Sequence, residues 1–135
     1  MIEKTVIVGV ADYCRNFPQR PKKSIPRENL YEHVNSSFQE ASRIVLLEGG
    51  ELSGKTEFLA GYMDRNPENS IGVFLTPGDA YFYTPEYLRL VISEQIHWLL
   101  EKSQSNFDLV DQSMFQKLIL RLQKNRKKNI DNIRC

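Results

Sequence analysis

Cysteine is scarce in this chain. Cys14 and Cys135 are the whole supply, far apart and without CxxC spacing. Neither a disulfide framework nor a zinc site is indicated, and a reducing, cytoplasmic setting is expected. The two histidines, His33 and His97, are too few and too scattered for a metal cluster and read as ordinary surface or half-buried imidazoles. No apolar run approaches the roughly 20 residues that cross a bilayer, so no membrane partner is expected. Glu3 and Lys4 precede the short run Thr5 to Val10 with no small-residue cleavage pattern, which argues against a signal peptide. No internal repeat or low-complexity segment is present.

What remains has the composition of an ordinary globular domain. The hydrophobic fraction is 41% and the charged fraction 26%, enough apolar material for a core in a single domain spanning 1–135. The net charge of +1 hides an asymmetry. From Met114 onward Lys117, Arg121, Lys124, Arg126, Lys127, Lys128 and Arg134 face Asp131 alone. Without an aromatic platform or a DNA-reading motif, this basic end reads as a solvated helix face that complements the helix dipole, and nucleic acid is not an expected partner.

Periodicity predicts alternating strands and helices. Thr5 to Val10 is β-branched and strand-like. Residues 11–26 form an irregular lead-in, where prolines at 18, 21 and 26 disfavour helix. Leu30, Val34 and Phe38 fall on one face of a helix over 27–40. Arg43-Ile44-Val45-Leu46-Leu47-Glu48 is a continuous apolar run suited to a strand buried on both faces, and Ile71-Gly72-Val73-Phe74-Leu75 is a second. Between them a helix from Lys55 to about Asp64 carries Phe58, Leu59 and Tyr62. Thr84 as cap and Pro85 at the first helical position open a helix running to about Lys102, with Leu88, Val91, Ile92, Ile96 and Leu99 on its apolar stripe. After a loop over 103–110, Asp111 caps a last helix to about Lys128 that buries Phe115, Leu118, Ile119 and Leu122. The expected fold class is therefore α/β, a parallel sheet flanked by helices.

One segment carries chemistry. Gly49-Gly50-Glu51-Leu52-Ser53-Gly54-Lys55-Thr56 satisfies G-x-x-x-x-G-K-[ST], the phosphate loop or Walker A pattern. Glycines let the backbone bring its N–H groups close to phosphate oxygens, and the following helix adds its positive end. Lys55 supplies a point charge for the β- and γ-phosphates, and the Thr56 hydroxyl is placed to ligand Mg²⁺. ATP with Mg²⁺ is the expected ligand. Glu51 and Glu57 put negative charge beside this anion site. Hydrolysis also needs an acidic residue at the end of a neighbouring strand, and no convincing one exists, so the catalytic residues are unknown and turnover by this chain alone is not expected.

The order of elements resembles the signal-transducing P-loop ATPases with numerous domains, the group of NACHT and NB-ARC modules. There a hydrophobic-Gly-Arg-Glu segment opens a helix ahead of the phosphate-loop strand. Here Ser24-Ile25-Pro26-Arg27-Glu28-Asn29-Leu30 stands in that place, with Pro26 where the family has glycine. The resemblance implies that the backbone at Ile25 and Pro26 lines an adenine pocket. It implies a nucleotide-binding module of a signalling or defence ATPase, cut short before the Walker B strand. The chain is then expected to be marginal in isolation and to associate with itself or with the rest of a larger ATPase. Two other readings stand beside it: a small P-loop phosphotransferase or kinase, and an interaction domain with an idle phosphate loop.

Overall fold

A single buried carboxamide sets the arrangement of the chain. The computed structural model describes residues 10–18, 27–40, 42–75, 77–78 and 80–133, with side chains to residue 127. Among these, four helices carry the regular structure: α1 (Glu28–Gln39), α2 (Lys55–Arg65), α3 (Pro85–Glu101) and α4 (Gln112–Ile133). Short 3-10 helices span Val10–Tyr13 and Ala80–Tyr83.

α3 is the central element. The two 3-10 helices and α4 all pack against it. Thr84 caps it by accepting a hydrogen bond from the Tyr87 amide at 3.3 Å, and Pro85 opens the first turn. Tyr87, Leu90, Val91, Ile96 and Trp98 are buried along it, together with the polar Ser93 and Gln95. α3 is thus covered on more sides than the single stripe that the apolar spacing marks. Asp111 caps α4 as expected, its carboxylate accepting from the Met114 amide at 2.8 Å. Leu118 is the buried anchor of that helix.

The core gathers Val10, Cys14, Met63 and Trp98, with Tyr13 stacked on Trp98 and Phe17 edge-on to Phe74. Met63 brings α2 into this cluster. α1 joins α2 through a polar clasp instead. Arg65 forms a fork on Glu28, with one arm at 2.9 Å, and lies over the Tyr31 ring at 4.4 Å from its centre. The Tyr62 hydroxyl donates to Asn35 at 2.6 Å on the same face. Phe38, expected on the buried stripe of α1, is exposed, and only Val34 is fully covered. On α2 the buried positions are Ala60 and Met63, while Leu59 faces solvent.

The parallel sheet is not there. No strand occurs among the described residues, which overturns the α/β class expected from the apolar runs. Residues 43–48 have no strand partner among the described residues, with Ile44 at 87% and Leu46 at 77% exposure. Only Val45 and Leu47, on the other face, are half-buried. At 71–75 the reason is visible in atoms. Gly72, where a strand neighbour would bond, donates its N–H to Gln95 Oε1 at 2.9 Å and accepts at its carbonyl from Gln95 Nε2 at 2.7 Å. The Cys14 thiol donates to the same carbonyl at 3.1 Å. A side chain of α3 thus takes the hydrogen bonds of a β-ladder and turns that segment onto a helix. The glycine is needed, because a Cβ there would sit 2.6 Å from the Met63 sulfur. The strand over 5–10 lies mostly outside the described residues, but its last residue, Val10, belongs to a 3-10 helix. The same 3-10 helix gives regular structure to the start of the 11–26 lead-in.

Two outcomes follow from this packing. Gln95→Leu leaves both backbone groups of the half-buried Gly72 without that partner and should lower unfolding free energy by about 1–3 kcal/mol, read from urea denaturation. A change under about 0.5 kcal/mol would contradict the clamp. Burial pushes the Cys14 thiol from 9.0 up to about 11. The folded state therefore favours the protonated thiol, a stabilisation complete below the unfolded value and lost as pH rises from about 9 to 11. The stability difference between the native chain and Cys14→Ala should shrink across that window. A difference that grows with alkaline pH would contradict the burial.

Candidate functional site

The segment 49–56 forms a loop that turns back on itself before entering α2. Ser53 donates its amide to the Gly50 carbonyl at 3.3 Å, which closes the turn. Leu52 and Gly54 adopt positive φ, 60° and 84°. Gly54 is the residue before α2, and the first helical bond runs from the Phe58 amide to its carbonyl at 2.9 Å. No side chain caps that end of α2. Amides of a first helical turn lack intrahelical acceptors, so this end presents N–H donors and the positive end of a helix dipole.

Lys55 bends back over the loop. Its ammonium donates to the carbonyls of Gly49 and of Gly50, the latter at 3.1 Å. Gly49 leaves room for this fold, since a Cβ there would lie 2.7 Å from Ser53 Oγ. Ser53 Oγ is itself buried without a hydrogen-bond partner. Thr56 is exposed at the helix start, Glu51 is exposed at the tip of the loop, and Glu57 is half-buried. Of the loop glycines, Gly54 is held at a left-handed φ and Gly49 faces the Ser53 side chain, while Gly50 is open to substitution.

A further residue joins them. Arg27, just ahead of α1, donates from its guanidinium to the Ser53 carbonyl at 2.7 Å. It lies so close to Gly54 that a Cβ there would sit 2.7 Å from its nitrogen. Arg27 stands just before the first turn of α1, within the Ser24–Leu30 segment that carries the family resemblance. Ile25 and Pro26, implied by the family resemblance for an adenine pocket, lie outside the described residues.

The residues present fit a polyphosphate. An uncapped helix start, two cations on the loop carbonyls, an orphaned hydroxyl and a left-handed glycine are features that phosphate-binding loops use. For the metal the loop pattern offers the Thr56 hydroxyl, exposed at the start of α2. No group of three His, Cys, Asp or Glu able to hold a metal ion exists among the described residues. Asp111 is already engaged as the cap of α4. What differs from a sheet-mounted phosphate loop is the support, because residues 43–48 ahead of it lack regular structure and are largely exposed.

The glycines give a direct test of this geometry. Gly54→Ala must place a Cβ at positive φ and against Arg27, a cost of about 1–2 kcal/mol. A loss of about 3–6 °C in Tm is expected. A Cβ at Gly50 would meet nothing within 4 Å, so Gly50→Ala should leave Tm nearly unchanged. Equal effects at both positions would contradict the loop conformation.

Comparison with protein families, with curated proteins and with solved structures gives no match for this chain.

Proposed function

We propose that the chain binds a nucleoside triphosphate with Mg²⁺, ATP foremost, on the 49–56 loop. The observation that carries this reading is the Lys55 ammonium folded across the Gly49 and Gly50 carbonyls at the uncapped start of α2. Binding exchanges those carbonyls for β- and γ-phosphate oxygens, which carry charge and accept stronger hydrogen bonds. The first-turn amides of α2 take the remaining oxygens. Arg27 adds a second cation from α1, and Thr56 offers its hydroxyl to Mg²⁺. Turnover is not part of the proposal, since no group of three His, Cys, Asp or Glu able to hold a metal ion occurs among the described residues. In this role the chain serves as the nucleotide-binding module of a signalling or defence ATPase of the NACHT and NB-ARC kind. The cytoplasm is its proposed setting, in keeping with a free, buried Cys14. No helix among the described residues is long and apolar enough to cross a membrane.

A second reading rests on a separate observation. Ile44, Leu46 and Leu52 are all strongly exposed on and beside the loop. Such a patch suits a protein partner, with the phosphate loop idle and Lys55 merely closing it.

Calorimetric titration with Mg-ATP separates the two. The first reading expects saturable binding that Lys55→Ala abolishes and Arg27→Ala weakens about tenfold, a loss of about 1.4 kcal/mol. Circular dichroism checks that both variants stay folded. Heat that is absent, or unchanged in Lys55→Ala, sinks the nucleotide reading.

A further inference from the structure

At the far end of α2 from the 49–56 loop lies an open hollow. α2 has 11 residues, so the two places are separated by about 16 Å of helix. The hollow lies between the last turn of α3, the middle of α4 and residues 68–71, and has a volume of about 540 Å³. That is within the range of small-molecule sites. Ile71, Leu99 and Leu122 give it an apolar floor. Its polar groups are uneven in sign: the cations Lys102 and Arg126 and the carboxamides Asn69 and Asn125 against one carboxylate, Glu68.

Lys102 is the unusual member. It ends α3 in the left-handed conformation, with φ 53° and ψ 31°, where glycine or asparagine is the ordinary choice. A lysine there carries backbone strain of the kind that gathers at functional positions. Its ammonium sits 4.4 Å from the centre of the Trp98 ring and 4.0 Å from Glu68 Oε1. The second separation is well beyond the roughly 2.8 Å of a direct charge-assisted hydrogen bond, so the ammonium is not saturated by Glu68. Arg126, unlike Arg121 with its partner Glu101, has no ion pair among the described residues. Two under-used cations therefore border an apolar floor.

The geometry points to a binding site for a small amphipathic carboxylate, its apolar body on Ile71, Leu99 and Leu122 and its carboxylate between Lys102 and Arg126. The bound carboxylate draws the Lys102 ammonium away from Trp98. This site is independent of the phosphate loop and of what that loop binds.

Trp98 is the chain's one tryptophan and reports on the site directly. The test is a fluorescence titration of the full chain with octanoate below its micelle-forming concentration, with octylammonium as the charge-reversed control. Octanoate should change the emission saturably and octylammonium should not. Arg126→Ala, on an exposed stretch of α4, should weaken the octanoate response at least fivefold. Lys102→Asn, which keeps a residue suited to the left-handed turn, should do the same, and Lys55→Ala should leave it unchanged. No response to octanoate, an equal response to octylammonium, or full affinity in Arg126→Ala overturns the proposal.

Discussion

The carboxamide of Gln95 holds both backbone groups of Gly72, and the arrangement of the chain depends on that pairing. A buried peptide group must find partners, and for an apolar extended segment the usual partner is another strand. Here α3 supplies it from a side chain with no exposure to solvent. Gln95 also donates to the Val91 carbonyl at 3.2 Å, which ties its amide end to its own helix. With Gly72 fixed, Phe74 reaches Phe17, Cys14 reaches the Gly72 carbonyl, and Met63 closes the core from α2. Residues 10–17, α2 and α3 thus meet around one glycine.

That meeting determines how the loop is mounted. α2 is anchored at its last turns by Met63 in the core and by the Arg65 fork on Glu28. Its first turn is free of side-chain caps and projects toward Arg27. The hydrogen bond from Arg65 holds the Glu28 carboxyl below the usual carboxylate range, so this clasp is complete near neutral pH and is lost as acid protonates Glu28. α1 therefore links the two ends of α2: Arg27 at the loop and Glu28 at the opposite turn. A phosphate bound as proposed would draw Arg27 from the Ser53 carbonyl, at the start of the same helix that Arg65 holds.

The helices were legible in the sequence where local chemistry decides them. Thr84 with Pro85 and Asp111 each mark a helix start by groups that satisfy first-turn amides, and both act as caps. Within 49–56 the glycines meet local needs of the turn, a left-handed φ at Gly54 and the Ser53 side chain beside Gly49. The sheet was misread because a continuous apolar run reports a demand for burial and not its fulfilment. Ile44 and Leu46 make that demand and remain exposed. Gln95 was missed because a polar residue beside an apolar stripe reads as solvent-facing, and nothing local reveals that a glycine 23 positions earlier needs its amide. Arg27 was marked by the family resemblance, but its contact with the loop was not legible, its target being a carbonyl 26 residues away.

The central claim is that the amides at the start of α2, with Lys55, form an anion site for a nucleotide. Backbone amide resonances followed during Mg-ATP addition test it most directly. The account predicts saturable shifts centred on Gly54, Lys55 and Thr56, with the side chain of Arg27 responding in step. Shifts that are absent, or that gather elsewhere in the chain while these amides stay still, would contradict it.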